Sequence, residues 1–544
     1  MNLKPLSLLV IRFHTPAVCL KYKARRASTA FPRGAWERGQ LFIRGKTCEV
    51  LKTSQVSLRT VMSVASVLLL SACTVGPDYQ RPTANVPAEF KELKGWKIAQ
   101  PKDQQLTGNW WELFKDAELN RLEAQVNISN QSLAQAEAQF RQSQSLVQQA
   151  TAAYFPTATG TATMNRFRAA TGQSVAVSGV RNLFGMAMSM AWEPDLWGGV
   201  RRQVEANEAN AGASHATLQA LKLSTHALLA QNYFQLRGLD AQKKLLDDTS
   251  VAYQKILTIN QNRYAAGVIG KPDITQAQTQ LASTQAQAID VQIARAKLEH
   301  AIAMLIGKAP AELTIATAGL TATVPAIPVA IPSELLERRP DIAVAERQVA
   351  AANAQIGVAK AAYFPTISLS ATKGTQSRDL SSLLSTAGRY WALGPAAMAV
   401  PLFNGGLTGA QMDAAINSFD ASVAAYRQSV LVSFQEVEDQ LSTLRLLADE
   451  IKAQQQAVTA ARESVALIDN QYKAGTVNYL NVMVAQGVAL NNEKTAVDLH
   501  SQQLQAAVLL VKALGGGWHN SDIPKAGDIG GEQKWSQFLP IPLK

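Results

Sequence analysis

The feature that most constrains this chain is an internal duplication. Ala153-Tyr154-Phe155-Pro156-Thr157 recurs as Ala362-Tyr363-Phe364-Pro365-Thr366, an offset of 209. Pro194-Asp195-Leu196-Trp197-Gly198-Gly199 matches Pro401-Leu402-Phe403-Asn404-Gly405-Gly406 at 207, and Tyr264-Ala265-Ala266-Gly267 matches Tyr472-Lys473-Ala474-Gly475 at 208. Ile306-Gly307 and Leu514-Gly515 repeat at 208. Landmarks at near-constant spacing mean one structural unit present twice, so every element of one copy should have a counterpart. The copies occupy 119–310 and 333–518, joined by a Pro-rich linker over 311–332.

Each copy predicts the same order of elements. A helical segment (about 119–152, then 339–361) runs into Phe-Pro-Thr, where proline ends the helix and favours extended chain. Two strands follow. Thr157, Thr159, Thr161 and Thr163 alternate with small residues, and Phe184, Met186, Met188, Met190 and Trp192 alternate with Gly185, Ala187, Ser189 and Ala191. In the second copy Ile367, Leu369 and Ala371 alternate with Ser368, Ser370 and Thr372, and a partner strand ends near Val400-Pro401-Leu402. Gly-Gly then opens a helix of some 60 residues, which at ~1.5 Å per residue reaches ~90–100 Å. Phe434, Val437, Leu441, Leu444, Ala448, Ile451, Gln455 and Val458 step by three and four, a heptad seam. The chain reverses at Ala266-Gly267 and at Ala474-Gly475, and return helices run to Gly307 and Gly515.

Charge separates a leader from the rest. Residues 1–72 carry 12 basic and 2 acidic side chains, leaving 40 basic against 39 acidic over 73–544. A basic surface for nucleic acid is therefore absent beyond the leader. The apolar run Val61–Leu70, preceded by Lys52 and Arg59 and followed by Ser71-Ala72-Cys73, has the layout of a secretory signal. Residues 1–50 precede that signal and match an over-extended start, the true one falling near Val50 or Leu51. Cys73 is the sole cysteine beyond the leader, so an intrachain disulfide or a thiolate metal site cannot form there. Leu70-Ser71-Ala72-Cys73 resembles the bacterial lipobox, which implies acylation of Cys73, and Thr74 in place of Asp resembles the outer-membrane sorting pattern.

Four short strands in a membrane-directed chain pose a physical problem. Lipid forbids open sheet edges, and a spanning barrel needs about eight strands or more. Two chains would supply 8 and three would supply 12, with the Phe184–Trp192 apolar row toward lipid. A soluble β-subdomain with a packed apolar face is the competing reading of the strands alone.

Further motifs resemble the outer membrane factor (TolC-like) family, in the lipoprotein branch serving resistance-nodulation-division (RND) efflux pumps. They are Cys73-Thr74-Val75-Gly76-Pro77-Asp78-Tyr79, Trp110-Trp111-Glu112-Leu113-Phe114, Ala191-Trp192-Glu193-Pro194-Asp195-Leu196-Trp197-Gly198 and Pro332-Ser333-Glu334-Leu335-Leu336-Glu337-Arg338-Arg339-Pro340-Asp341-Ile342. The likeness spans essentially 73–518. It implies an α+β fold: a long antiparallel α-helical barrel continued by a transmembrane β-barrel, a homotrimer with four strands per chain. It also implies a periplasmic adaptor, an inner-membrane RND-type pump and outer-membrane lipid as partners, with no cofactor. By the same resemblance the helix reversals narrow a periplasmic aperture at Tyr264, Gly267, Lys271 and Asp273, and at Tyr472, Gly475 and Asn481. The second copy departs from the family, because Tyr479–Gln486 holds no carboxylate. Asp273 also has an ordinary reading, a carboxylate favouring the dipole at a helix start.

Catalytic motifs are not evident: HExxH, CxxC and GxSxG are absent, and Gly267-Val268-Ile269-Gly270-Lys271 lacks the spacing of a phosphate loop. His215, His226, His300, His500 and His519 show no metal-ligand spacing. The expectation is a passive exit duct. A duct for type I protein secretion and a lipid-anchored coiled-coil spacer without a pore are the alternatives.

Overall fold

The computed structural model describes residues 75–93, 108–168, 180–329 and 332–529; the leader, Cys73 and residues 530–544 lie outside them. In the first copy α1 (Ala117–Ser129) and α2 (Gln131–Thr151) lead into β1 (Thr157–Arg168) and β2 (Val180–Trp192), followed by α3 (Gly199–Ala265) and α4 (Lys271–Leu305). The second copy repeats this as α5 (Pro332–Arg338), α6 (Pro340–Ala361), β3 (Thr366–Ser377), β4 (Arg389–Ala399), α7 (Leu407–Lys473) and α8 (Tyr479–Ala513). Helices α3 and α7 both have 67 residues, ~100 Å of rod at ~1.5 Å per residue. Each packs along its own return helix, and α3 also packs along α2, α6 and α8.

The first helical segment is not continuous over 119–152. It breaks at Asn130, whose extended backbone separates α1 from α2. The Asn130 carboxamide accepts from Leu133 N–H at 2.9 Å, capping α2, and donates to the Leu305 carbonyl at 2.7 Å, closing the end of α4. The second copy solves the same problem with an unrelated residue. Arg339, 209 positions later, separates α5 from α6 and donates to the Ala513 carbonyl at 3.0 Å, closing the end of α8. Beside these joints the chain turns at Gly307 (φ +70°) and Gly515 (φ +94°).

The heptad seam of α7 holds through Phe434, Val437, Leu441 and Leu444 and then drifts. Leu447 is buried in place of Ala448, and Gln455 is exposed while Val458 is buried again. A straight helix advances 3.6 residues per turn, so a strict 3.5 register cannot stay on one face without supercoiling. Leu441 has no exposed surface. Leu441→Ala should therefore cost about 2–5 kcal/mol in thermal unfolding, against a near-neutral Gln455→Ala.

The linker is not a loose tether. Ile315, Ile327 and Val329 are buried, and a charge cluster under the chain fixes its path. Arg237 donates to Ala316 O and Arg295 to Ile315 O, both at 2.6 Å, while Asp240 pairs with both arginines. Nearby, His226 stacks on Trp111 at 4.4 Å and its Nδ1 lies 2.6 Å from Glu123 Oε2, deep in the core. Burial raises the Glu123 carboxyl well above its ordinary range and lowers His226 to about 3, so the pair is held uncharged.

The strands form one antiparallel sheet in the order β1-β2-β3-β4, leaving β1 and β4 each with an unpaired edge. β4 stops at Ala399, short of the expected Val400–Leu402, because its last partner is Thr366 and β3 begins there. The pairing puts Thr157, Thr159, Thr161 and Thr163 on one face with Ala191, Ser189, Ala187 and Gly185. The opposite face carries Met186, Met188, Met190 and Trp192 together with Leu369, Trp391, Leu393 and Met398. These apolar side chains are exposed in the single chain, Trp391 to 78%.

Candidate functional site

The two reversals that join α3 to α4 and α7 to α8 share one geometry. Gly267 (φ +72°) donates to Tyr264 O at 2.9 Å and Val268 to Arg263 O at 2.9 Å; Gly475 (φ +76°) donates to Tyr472 O at 3.0 Å and Thr476 to Gln471 O at 3.0 Å. This pair of bonds caps a helix through a left-handed residue, a conformation that favours glycine. Nothing lies within 4 Å of a Cβ built at either position, so φ and not space selects glycine.

Equal turns are not equal surroundings. Tyr472 is buried (7% exposed) whereas Tyr264 is 46% exposed. The Tyr472 hydroxyl donates to Asn260 Oδ1 at 2.9 Å, and the Arg263 guanidinium lies over its ring, 4.7 Å from the centroid. On its other side stands Tyr479, the ring centroids 5.7 Å apart. Tyr253, Leu257, Leu281 and Val482 complete the cluster, which joins the tip of the first copy to the tip of the second. Burial raises the Tyr472 hydroxyl; Arg263 opposes that and Asp273 adds to it. Burial, with Tyr253, Tyr472 and Asp273 nearby, pushes Tyr479 up to about 12. Both phenols are therefore neutral donors at physiological pH.

The remaining sequence candidates are spread over this tip. Asp273 is half-buried in the first turn of α4, whose N-cap Gly270 has no side chain to offer, so its carboxylate faces the positive end of the helix dipole. Lys271 and Asn481 are exposed; Asn481 contributes its backbone N–H, which Asn478 caps. Asn260 and Arg263 were not read from the sequence. The signal available was asymmetry between the copies, since Gln471 stands where the first copy has Arg263.

At the opposite end, the segment following Cys73 is bound to the base of the sheet. Val75 N–H donates to Trp197 O at 3.1 Å, Asp78 pairs with Arg202 at 2.8 Å, and Asn353 donates to Pro77 O at 3.0 Å.

A family model described as outer membrane efflux protein matches residues 123–308 and 331–516, one match per copy. The chain belongs to the outer membrane efflux protein family. The solvent efflux pump outer membrane protein SrpC of Pseudomonas putida is 30% identical over 464 residues, covering 83% of this chain and 97% of that protein. The cation efflux system protein CusC of Escherichia coli is 28% identical over 454 residues, covering 83% and 97%. Among solved structures, the outer-membrane channel OprN aligns at a TM-score of 0.76 and 30% identity, covering 82% of this chain and all of that one; a CusC structure aligns at 0.72 and 27%, covering 81% and all of it.

As an outer membrane efflux protein the chain is one third of a trimeric channel, 3 × 4 strands closing a 12-stranded barrel in the outer membrane. The free edges of β1 and β4 are thereby paired, and the long helices form a tunnel into the periplasm. A closed barrel in lipid has an apolar outer face, a requirement that the methionine and tryptophan face meets and the threonine face does not. Apolar side chains on the helices, among them Leu228, Ile289 and Leu431, are exposed in the single chain. The outer membrane efflux protein is the exterior-facing channel of a tripartite efflux pump.

Proposed function

We propose that this channel is a passive exit duct anchored through acylated Cys73, its reversal tip gating access from a periplasmic adaptor and an inner-membrane RND-type transporter. Small molecules pass along the lumen, and transport energy comes from the transporter, because the tip and lumen offer a wall and a constriction and not a reaction centre. The observation that carries the reading is the open four-stranded sheet at one end of two 67-residue helices, with an interlocked tip at the other. Anchoring at Cys73 is supported by Val75, two residues later, which is bonded at the base of the sheet. Tyr264, Lys271, Asp273, Tyr472 and Asn481 are the aperture residues of this proposal, and Tyr472 is its lock.

Two measurements test it. Purified protein in a planar bilayer should give discrete single-channel currents; a silent bilayer from properly assembled protein would support a non-conducting spacer instead. Cys73→Ser should abolish incorporation of labelled palmitate while leaving the protein in the outer membrane, since several acyl chains add to a barrel that already spans. Palmitate incorporation unchanged in Cys73→Ser would overturn the anchor.

A further inference from the structure

The duplication that builds the sheet also constrains how one copy of the chain meets the next. Within the chain the second hairpin reproduces the first pair for pair. Ala162 opposite Met186 and Met164 opposite Phe184 return, at the repeat offsets of 209 and 207, as Ala371 opposite Leu393 and Lys373 opposite Trp391. Both returning pairs lie on the side of the Leu369/Ala371 register shift that is remote from the helices, so the offsets apply there unaltered.

One seam between copies lies inside the chain, β2 against β3, with Met186 opposite Thr375 and Phe184 opposite Ser377. Trimer closure adds the equivalent seam between chains, β4 against β1 of a partner subunit. By the same offsets Leu393 and Trp391 are the counterparts of Met186 and Phe184, and Arg166 and Arg168 are those of Thr375 and Ser377. Carried across, the internal seam sets Leu393 against the partner subunit's Arg166 and Trp391 against the partner subunit's Arg168. A sheet imposes a parity on that result, because a slip of one residue sends every side chain to the opposite face. All four residues lie on the methionine and tryptophan face, so both pairs satisfy it.

The two open edges suit each other. Trp391 and Leu393 are 78% and 83% exposed on β4, and Arg166 and Arg168 are exposed on β1. No strand carries an Asp or Glu to meet those arginines. A guanidinium on an apolar face is stabilised by the face of an indole, and the seam brings it Trp391. The base of the sheet shows the same contrast between a closed seam and an open one. After β2, Trp197 stacks on Phe364 with centroids 5.0 Å apart and donates to Pro365 O at 2.6 Å. After β4, Leu402 and Phe403 are 91% and 92% exposed, although their first-copy counterparts Asp195 and Leu196 are half-buried.

We infer that β4 joins β1 of the partner subunit in the register of the internal β2–β3 seam, with Leu393 opposite the partner subunit's Arg166 and Trp391 opposite the partner subunit's Arg168. This register rests on the barrel reading, which requires the two edges to meet, and adds where along them they do. Opposed residues in an antiparallel pair have Cα atoms about 4.5–5.5 Å apart, close enough for a disulfide, whereas a residue two further along lies beyond about 7 Å. The full processed protein carrying Leu393→Cys with Arg166→Cys, oxidised in the outer membrane, should run as covalent trimer on a non-reducing gel, about tenfold or more above wild type and either single variant. Trp391→Cys with Arg168→Cys should do the same, and keeps the test open if the first pair does not assemble. Leu393→Cys with Met164→Cys or with Arg168→Cys, each displaced by two residues, should stay at background. Stronger cross-linking in a displaced pair would overturn the register. So would a particle shown by light scattering to be trimeric in which none of these pairs links, and that result would leave the channel itself standing. A monomeric particle would instead sink the barrel reading and the register with it.

Discussion

Arg263→Ala combined with Tyr472→Phe should raise closed-state conductance strongly. The double variant removes the guanidinium over the Tyr472 ring and the hydroxyl bonded to Asn260, the contacts by which the first copy holds the tip of the second. A hydrogen bond and a cation–π contact of this kind contribute together about 2 kcal/mol. At about 1.4 kcal/mol per decade, that multiplies the open-to-closed ratio by about 30. The effect should be largest in the double variant and absent from Tyr264→Phe, whose ring is exposed. Single-channel recording at low voltage reads it directly, and wild-type closure in the double variant would remove Tyr472 from the gate. Asp273→Ala belongs in the same series, because a closed state equal to wild type would leave Asp273 with helix-dipole stabilisation as its whole role.

Gly515→Ala and Gly307→Ala should be the most damaging single-atom changes in the helical body. A Cβ at Gly515 would lie 2.0 Å from the Arg338 carbonyl oxygen, and one at Gly307 would lie 2.0 Å from the Ser129 carbonyl oxygen. Both glycines also have positive φ, so steric and conformational penalties add. Backbone must move to relieve either clash, and a loss of about 3–5 kcal/mol is expected for each. The readout is the temperature at which trimer is lost. Gly487→Ala is the control, since it sits inside α8 with nothing within 4 Å of a Cβ, and should be neutral or stabilising by about 0.5–1 kcal/mol.

These two sets of residues also mark where sequence reading succeeds and stops. The repeat, the two very long helices and the strand alternation were legible because each is written in local spacing: Phe-Pro-Thr, the proline-free run of α7, and the period of two from Phe184 to Trp192. Gly307 and Gly515 were visible as repeat landmarks, but their reason was not, since the carbonyl each must clear lies more than 170 residues away. The break at Asn130 was missed for a related cause. Its counterpart is Arg339, a residue of different chemistry that reaches the same helix end, so no similarity of side chains flags the correspondence. The Asp240 cluster under the linker likewise depends on Arg237 and Arg295 converging from two helices. At the tip the two tyrosines occupy equivalent sequence positions, and only the neighbours, Asn260 and Arg263 for Tyr472, make one buried and the other free to face solvent.

Everything proposed for the lumen, the gate and the seam depends on how many copies close the sheet. Light scattering on the purified, detergent-solubilised protein, corrected for bound detergent, answers that most directly. Three polypeptides per particle are expected, with circular dichroism showing both helix and sheet. A particle holding one polypeptide with the same spectrum would mean that the edges of β1 and β4 stay open, and no channel of this kind could exist.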